Sequence, residues 1–329
     1  MPLTTASARP FPRLLADGGG TNARFAWQAS AGAPITDVRV LPCADYPTLP
    51  AAMHAYLGGL NQGRPQAAAI AIANPITGDE VRMTNHHWVF SQSAVKAEFG
   101  LQTLQLLNDF TALALALPVL PADELRQVGG AAVVPDAPIA LLGAGTGLGV
   151  SGLLPDRRGG WLPIEGEGGH VTLPAVSARE RLVMDGLIQR YGRASAERLL
   201  CGQGLVDACA ILCAADGVPE RALGSAAEVT DAALAGQLPQ AVEALTHFCA
   251  LLGSVAGNLA LTLGARGGVF IGGGIVPRLG DGFDRSPFRQ RFEAKGRFSA
   301  YLQPIPVWVI TSRQSPALMG AARALDADH

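Results

Sequence analysis

The sequence predicts an α/β protein built as two lobes. Three observations carry that prediction. Short apolar runs alternate with helix-length segments along the chain. A unit of strand, Gly/Thr turn and strand opens near Leu14 and recurs near Ile139 as a faint internal repeat. A length of 329 residues, with 49% hydrophobic and 16% charged, is long for one core and comfortable for two.

Taken in order, Met1 to Pro12 carries Arg9 but no apolar signal-type stretch, and reads as a short flexible tail. Leu14–Ala16 is the first strand, Asp17-Gly-Gly-Gly-Thr-Asn22 a turn, and Arg24–Gln28 the second strand. A glycine-rich turn between two strands is a hairpin, not a strand-to-helix dinucleotide turn. Asp37–Leu41 extends the meander, and a helix over about Thr48–Leu57 precedes the buried strand Ala67–Ala73. Ser91 suits the N-cap of a helix running through Phe99. Thr103–Leu107 is a strand that ends at Asn108-Asp109, with a helix starting near Thr111.

Pro118, Pro121 and the Gly129–Pro138 stretch mark a composition shift, so a lobe boundary falls near residue 119. The small lobe then covers 13–119 and the large lobe 120–310. In the large lobe, strand Ile139–Leu142, turn Gly143 to Gly149 and strand Val150–Leu153 repeat the opening arrangement. Helices follow at about Ala178–Tyr191, Ala196–Leu200, Val206–Ala214 and Pro239–Leu263. Within the last of these, Leu251 to Ala265 is the most membrane-like stretch. Ser254, Asn258 and glycines interrupt it, and it is too short to span a bilayer, so it reads as a buried helix. Strand Gly268–Ile271 runs into Gly272-Gly-Gly-Ile275, before a helix, and Pro304–Ile310 is a late strand. A final helix, about Pro316–Ala324 within 311–329, packs back on the small lobe.

Composition removes several function classes. The net charge of -2 provides no field for nucleic acid or an acidic membrane. Lys96 and Lys295 are the only lysines. No G-x-x-x-x-G-K-[ST] loop exists and neither lysine sits in a V-A-I-K-like strand, which excludes Walker-type and protein-kinase nucleotide binding. Five cysteines without a regular framework favour a reducing cytoplasm. Cys209 and Cys213 lie at i, i+4 without a C-x-x-C pair or histidine partner, and read as buried apolar residues. His86 and His87, taken as neighbours on a strand, would point to opposite faces and could not jointly ligate a metal.

The two Gly/Thr turns carry the first chemical expectation. Their backbone N–H groups and threonine hydroxyls can donate to phosphate oxygens, and glycine permits close approach. The candidates are Asp17, Gly18, Gly19, Gly20, Thr21 and Asn22 at the first turn, and Gly145, Thr146 and Gly147 at the second. Asp17 would supply the anion for a Mg²⁺ shell, through water. Gly272, Gly273 and Gly274 would let an adenosine lie flat against backbone. Each turn alone also fits an ordinary tight hairpin; two in matching contexts, with the third run, point to a nucleotide.

Asn108-Asp109 places a carboxylate at the rim of a sheet, where open α/β folds do their chemistry, and equally suits the N-cap of the next helix. Gly166-Glu167-Gly-Gly-His170 sets a carboxylate and an imidazole three residues apart. That pair suits a hydroxyl-rich ligand, or belongs to a solvated loop. Glu197, at a helix start, suits the helix dipole.

Together these stretches resemble the bacterial glucokinase family. The resemblance rests on Asp17-Gly-Gly-Gly-Thr-Asn-Ala-Arg24, Pro75-Ile-Thr-Gly78, Met83-Thr-Asn-His86 with Trp88, and Leu107-Asn-Asp-Phe-Thr-Ala112. It continues through Gly143-Ala-Gly-Thr-Gly-Leu-Gly149, Gly166-Glu-Gly-Gly-His170, Ser195-Ala-Glu-Arg198 and Gly267-Gly-Val-Phe-Ile-Gly-Gly-Gly-Ile-Val-Pro277. It runs from about Leu14 to Ala322, in the family's order.

The resemblance implies an actin/hexokinase-type fold: two ribonuclease-H-like lobes around a central cleft, with the small lobe rejoined by the C-terminal helix. It implies D-glucose and ATP with Mg²⁺ as substrates and glucose 6-phosphate as product. It makes Asp109 the base and Asn108, Glu167, His170 and Glu197 the sugar binders. It also suggests a homodimer, and the cysteine usage and the lack of a signal-type stretch set the expectation of a cytoplasmic protein. Two positions depart from the family pattern: Gly18, where a larger apolar residue is common, and Asn74, in a stretch that often has Cys. Nothing like the C-x-C-G-x-x-G-C zinc segment of a sister group follows His170.

A kinase for another hexose or an amino sugar is the nearest rival. A regulator that has lost catalysis is disfavoured by the Asn108-Asp109 pair and by the first strand's start near Leu14, with no DNA-binding domain before it. An actin-like ATPase would lack the Glu167, His170 and Glu197 set.

Overall fold

A computed structural model describes residues 10–74, 76–83, 86–156, 158–219, 223–312 and 315–326. The tail expected over residues 1–9 and motif residues Pro75, Thr84 and Asn85 lie outside the described residues. The chain opens with β1 (Arg13–Gly18), β2 (Asn22–Gln28), β3 (Thr36–Pro42), α1 (Leu49–Gly58) and β4 (Ala67–Ile72). A small hairpin, β5 (Glu80–Arg82) and β6 (Val89–Ser91), leads to α2 (Gln92–Glu98), β7 (Thr103–Asn108) and α3 (Asp109–Ala116). Next come β8 (Leu125–Gln127), β9 (Ile139–Ala144), β10 (Leu148–Pro155) and β11 (Trp161–Ile164). The helical run is α4 (Ala178–Tyr191), α5 (Ala196–Leu199), α6 (Gly202–Ala215), α7 (Ala226–Leu234) and α8 (Pro239–Leu263). The chain closes with β12 (Val269–Gly272), α9 (Asp281–Asp284), α10 (Phe288–Glu293), α11 (Ser299–Leu302), β13 (Val307–Ile310) and α12 (Ala317–Ala324).

These elements fall into two units. The first comprises Met1–Leu120 with Ser312–His329, the second Pro121–Thr311. The first unit's main sheet has the order β3-β2-β1-β4-β7, with β1 antiparallel to β2 but parallel to β4, and β4 parallel to β7. In the second unit the order β11-β10-β9-β12-β13 repeats that pattern, and β8 adds an antiparallel edge strand. The internal repeat seen in the turns is therefore a repeat of whole-sheet topology. Both sheets have the mixed parallel and antiparallel order expected of the two similar lobes.

β4 reads Ala-Ala-Ala-Ile-Ala-Ile and is buried throughout, as a central parallel strand covered on both faces must be. On one face Leu14, Ala16, Ala68 and Ile70 join Ala52, Met53 and Tyr56 of α1 and Val95 of α2. On the other, α12 packs against β1, β4 and α3. The approach is close enough that a Cβ on Gly320 would fall 1.6 Å from the Ala112 carbonyl oxygen. Arg13, fully buried on β1, donates to the Ala322 and Leu325 carbonyls at 3.3 Å each and pairs with Asp326 at 2.9 Å. It thereby satisfies the otherwise open C-terminal carbonyls of α12.

In the second unit α8 is the core helix, begun by Pro239 at its first position and ended by Gly264 at φ 64°. Phe248, Leu252 and Ala256 meet Leu205 and Leu212 of α6, Phe288 and Phe292 of α10, and the sheet residues Leu142, Ile271 and Val309. Among the described residues it is the helix long and apolar enough to cross a membrane, yet 67% of its most apolar window is buried inside the protein. All five cysteines are buried and unpaired.

Several boundaries differ from expectation. Both glycine turns are shorter than their motifs, because Asp17, Gly18, Asn22, Gly143 and Gly149 are strand residues. α3 begins at Asp109 rather than near Thr111. α6 starts four residues before Val206, where Gly202 and Gly204 disguise the helix and the Cys201 sulfur caps it. The helix expected after Gly274 is a single 3₁₀ turn over Val276–Leu279. α7 went unforeseen although Ser225 and Glu228 form a legible capping box. His86 and His87 sit outside any strand, with ring centroids 4.0 Å apart, so they do not point to opposite faces. No cluster of three or more potential metal-binding side chains exists among the described residues.

Candidate functional site

The first unit contributes the ends of its parallel strands. Gly18 is in register with Ile72, and Ile72 with Asn108. At the usual strand spacing, the Asp17-Gly18 and Asn108-Asp109 ends lie about 10 Å apart along one sheet edge. The structure shows which residue of Asn108-Asp109 takes the cap. Asn108 is the cap: its side-chain oxygen accepts from Phe110 N at 2.9 Å and Thr111 N at 3.3 Å. Asp109 is the first residue inside α3, half-buried, and its Oδ1 also accepts from Phe110 N at 2.9 Å.

Asp17 is held through Oδ2, which accepts from Ser315 Oγ at 2.6 Å and Arg24 Nη1 at 3.4 Å. The turn beside it is Gly19 to Thr21, closed by Gly19 N donating to Asn22 O at 3.0 Å and Cys43 N to Thr21 O at 2.8 Å. Gly18, where the family pattern has a larger residue, has room for a side chain. A Cβ there would meet Ala71 O and the Ile72 side chain at an ordinary 3.5 Å.

The second unit gathers its own set. The turn Gly145 to Gly147 is closed by Gly145 N donating to Gly147 O at 2.8 Å, and Gly202 N donates to Gly145 O at 2.9 Å. Gly272 is buried in β12, so of the third glycine run Gly273 and Gly274 are exposed. Gly273, at φ 81°, lies against Ala144, the residue before the Gly145 turn. Glu167 precedes a 3₁₀ turn, Gly168–His170, that packs on β10. Arg193 holds this loop by donating to the His170 carbonyl at 2.8 Å. The loop meets the start of α5, where Ala196 N donates to Val171 O at 2.8 Å.

His170 consequently lies between two carboxylates, with Nε2 3.8 Å from Glu167 Oε2 and Nδ1 3.8 Å from Glu197 Oε1. These are ion-pair distances, longer than hydrogen bonds, so the carboxylate oxygens keep capacity for hydroxyl donors. The other Glu197 oxygen, Oε2, accepts from Leu148 N at 2.9 Å, at the foot of the glycine turn. The dipole role expected for Glu197 is thus joined by a tertiary hydrogen bond.

Glu167, His170 and Glu197 come together, and with them the Gly145 turn and the Gly273-Gly274 pair. Three participants escaped the sequence reading: Ser315, Arg193 and the Leu148 amide. None has a local signal, since Ser315 acts across 298 residues and the Leu148 donor is main chain.

The family model described as glucokinase matches residues 14–328. A glucokinase of Chromobacterium violaceum is 55% identical over 327 residues, 99% of this chain and 92% of that protein. One of Aromatoleum aromaticum is 54% identical, covering 98% and 97%. The crystal structure of a glucokinase from an Antarctic psychrotroph superposes with a TM-score of 0.87 at 34% identity, over 96% of this chain and 98% of that one. The chain belongs to the glucokinase family.

Proposed function

We propose that this enzyme transfers the γ-phosphoryl group of ATP to O6 of D-glucose, with Asp109 as general base. The observation that carries the reading is the grouping of Glu167, His170 and Glu197 beside a glycine turn, tied to that turn by the Leu148 amide. Three polar side chains with spare acceptor capacity suit a ligand rich in hydroxyls, and the adjoining amides suit phosphate oxygens. The relatives named glucokinase support the choice of sugar.

In this scheme Asn108, Glu167, His170 and Glu197 hold the sugar. O6 attacks the γ-phosphorus, the bond from that phosphorus to the bridging oxygen breaks, and ADP leaves with the electron pair. The proton of the 6-hydroxyl passes to Asp109. Asn108 caps α3, which fixes the Asp109 backbone, and placement is most of what phosphoryl transfer requires. Amides around Thr21 and Thr146 offset charge that develops on the transferred group.

The donor set also fits Mg²⁺. This ion keeps several waters and takes one or two carboxylates plus substrate phosphates, rather than a protein cage. Asp17 is such a single carboxylate, and both its bonds use Oδ2, leaving Oδ1 for a water of the hydrated ion. Bound with the nucleotide, Mg²⁺ would neutralise charge on the phosphate oxygens. The same reading has the enzyme working in the cytoplasm as a homodimer; five unpaired, buried thiols accord with a reducing compartment.

Steady-state phosphorylation across a panel of glucose, mannose, fructose and N-acetylglucosamine with ATP, ADP and polyphosphate tests the proposal. Glucose with ATP is the expected best pair. A higher kcat/KM for another sugar would reject the substrate assignment, and no transfer to any sugar would reject the activity.

A further inference from the structure

We infer that Glu197 is a shared latch through which the end of the nucleotide turn sets the sugar site, so that the two ligands are coupled inside one unit. This rests on the function proposed above and adds a residue-level mechanism to it. Glu197 Oε2 accepts from Leu148 N at 2.9 Å, while Oε1 faces His170 Nδ1 at 3.8 Å. One carboxylate therefore serves the backbone of the turn with one oxygen and the sugar cluster with the other.

The latch has little slack. α5 is four residues long and anchored at its start, by Ser195 Oγ accepting from Arg198 N and by Ala196 N donating to Val171 O. The Glu197 backbone is thus fixed, and its carboxylate position depends on side-chain torsions alone. The turn crowds that carboxylate from the other side: a Cβ on Gly147 would fall 2.5 Å from Oε2 and 3.3 Å from Cδ. What a methyl group at 147 meets is the movable end of a side chain, so the fold tolerates it while Glu197 must leave its place. Gly145, two residues earlier in the same turn, faces open space, with nothing within 4 Å of an added Cβ. The pair makes a matched perturbation. Both add one methyl to the nucleotide turn, and one of them displaces the sugar ligand.

The consequence is unexpected for a nucleotide loop: Gly147→Ala weakens sugar binding when no nucleotide is present. D-Glucose binding to the full-length, nucleotide-free protein is measured by calorimetry for the wild type, Gly147→Ala and Gly145→Ala. Hydrogen bonds to a charged group carry enough energy that the Gly147→Ala Kd should rise about tenfold or more. The Gly145→Ala Kd should stay within about twofold of wild type. Equal glucose affinity in the wild type and Gly147→Ala overturns the latch while leaving the proposed function intact. Absence of glucose binding in the wild type overturns both.

A second measurement does not depend on Gly147→Ala folding. The glucose Kd is compared with and without the non-hydrolysable nucleotide AMPPNP and Mg²⁺, and the ratio is the coupling between sites, equal in both directions. The ratio departs from one in the wild type and falls to one in Glu197→Ala. An unchanged ratio in Glu197→Ala overturns the inference.

Discussion

Adding one methyl group at Gly320 should destabilise the first unit far more than its size suggests. A Cβ at this position would lie 1.6 Å from the Ala112 oxygen, 2.5 Å from its carbonyl carbon and 3.1 Å from its Cα. All three are backbone atoms of α3, so no rotamer change relieves the overlap. Ordinary contact begins near 3.4 Å, so α12 must withdraw by roughly 1.8 Å. Withdrawal disturbs everything that α12 secures: its packing on β1 and β4, the Arg13 bonds to Ala322 and Leu325, and the Ser315 bond to Asp17. Overpacking typically costs 1–3 kcal/mol, and contact with rigid backbone places Gly320→Ala at about 3 kcal/mol. For a unit of this size each kcal/mol moves the melting point by about 3 °C, so calorimetry should show a fall of about 9 °C. Weakened Mg²⁺-nucleotide binding should accompany it, because Asp17 loses a partner. A melting point within about 1 °C of wild type would refute the reasoning, since it would mean that the α3–α12 contact is looser than the geometry states.

Asp109→Ala should lower kcat by about 10²–10⁴-fold with glucose KM changed far less; near-normal turnover would remove Asp109 from the role of base. In Glu167→Gln the defect should lie mainly in glucose KM, because an amide cannot accept two hydroxyl donors as a carboxylate does, and an unchanged KM would count against the assignment. Asn108→Ala should cost about 1 kcal/mol of stability through the lost cap, read from urea unfolding, in addition to any loss of sugar affinity. Acid sensitivity should trace partly to Glu180: burial raises its carboxyl, but Arg291 and the amides of Val176 and Ser177 outweigh that and hold it below the usual range. Its folded value is depressed, so its contribution is complete above the unfolded value of about 4.3 and disappears as pH falls through the folded value. Urea melts across that window should show a shallower loss of stability in Glu180→Gln.

Local chemistry made much of this protein legible in one dimension. Apolar runs placed most of the central sheet strands to within a residue or two, because a buried parallel strand such as Ala67–Ile72 has little choice of composition; the short edge strands β8 and β11 were not foreseen, and β13 begins three residues after Pro304. α4 and α8 were bounded by their own signals: a capping box at Ser177 and Glu180, Pro239 at a helix start, and Gly192 and Gly264 in left-handed conformations at the ends. Family motifs then named Asp109, Glu167, His170 and Glu197 as candidate site residues. What the residues around them do was another matter. Asn108 and Asp109 are adjacent and chemically alike as caps, and only the position of the first helical turn showed that Asn108 takes the cap and Asp109 opens the helix. The link from Ser315 to Asp17 and that from Glu197 to the Leu148 amide join residues 298 and 49 positions apart. Gly320 and Gly147 look like any other glycines until the atoms opposite them are known. The sequence by itself determined which groups the protein carries and which element holds each one. Only the tertiary structure decided their partners, because a contact across a sheet edge or between two helices leaves no trace in the spacing of either segment.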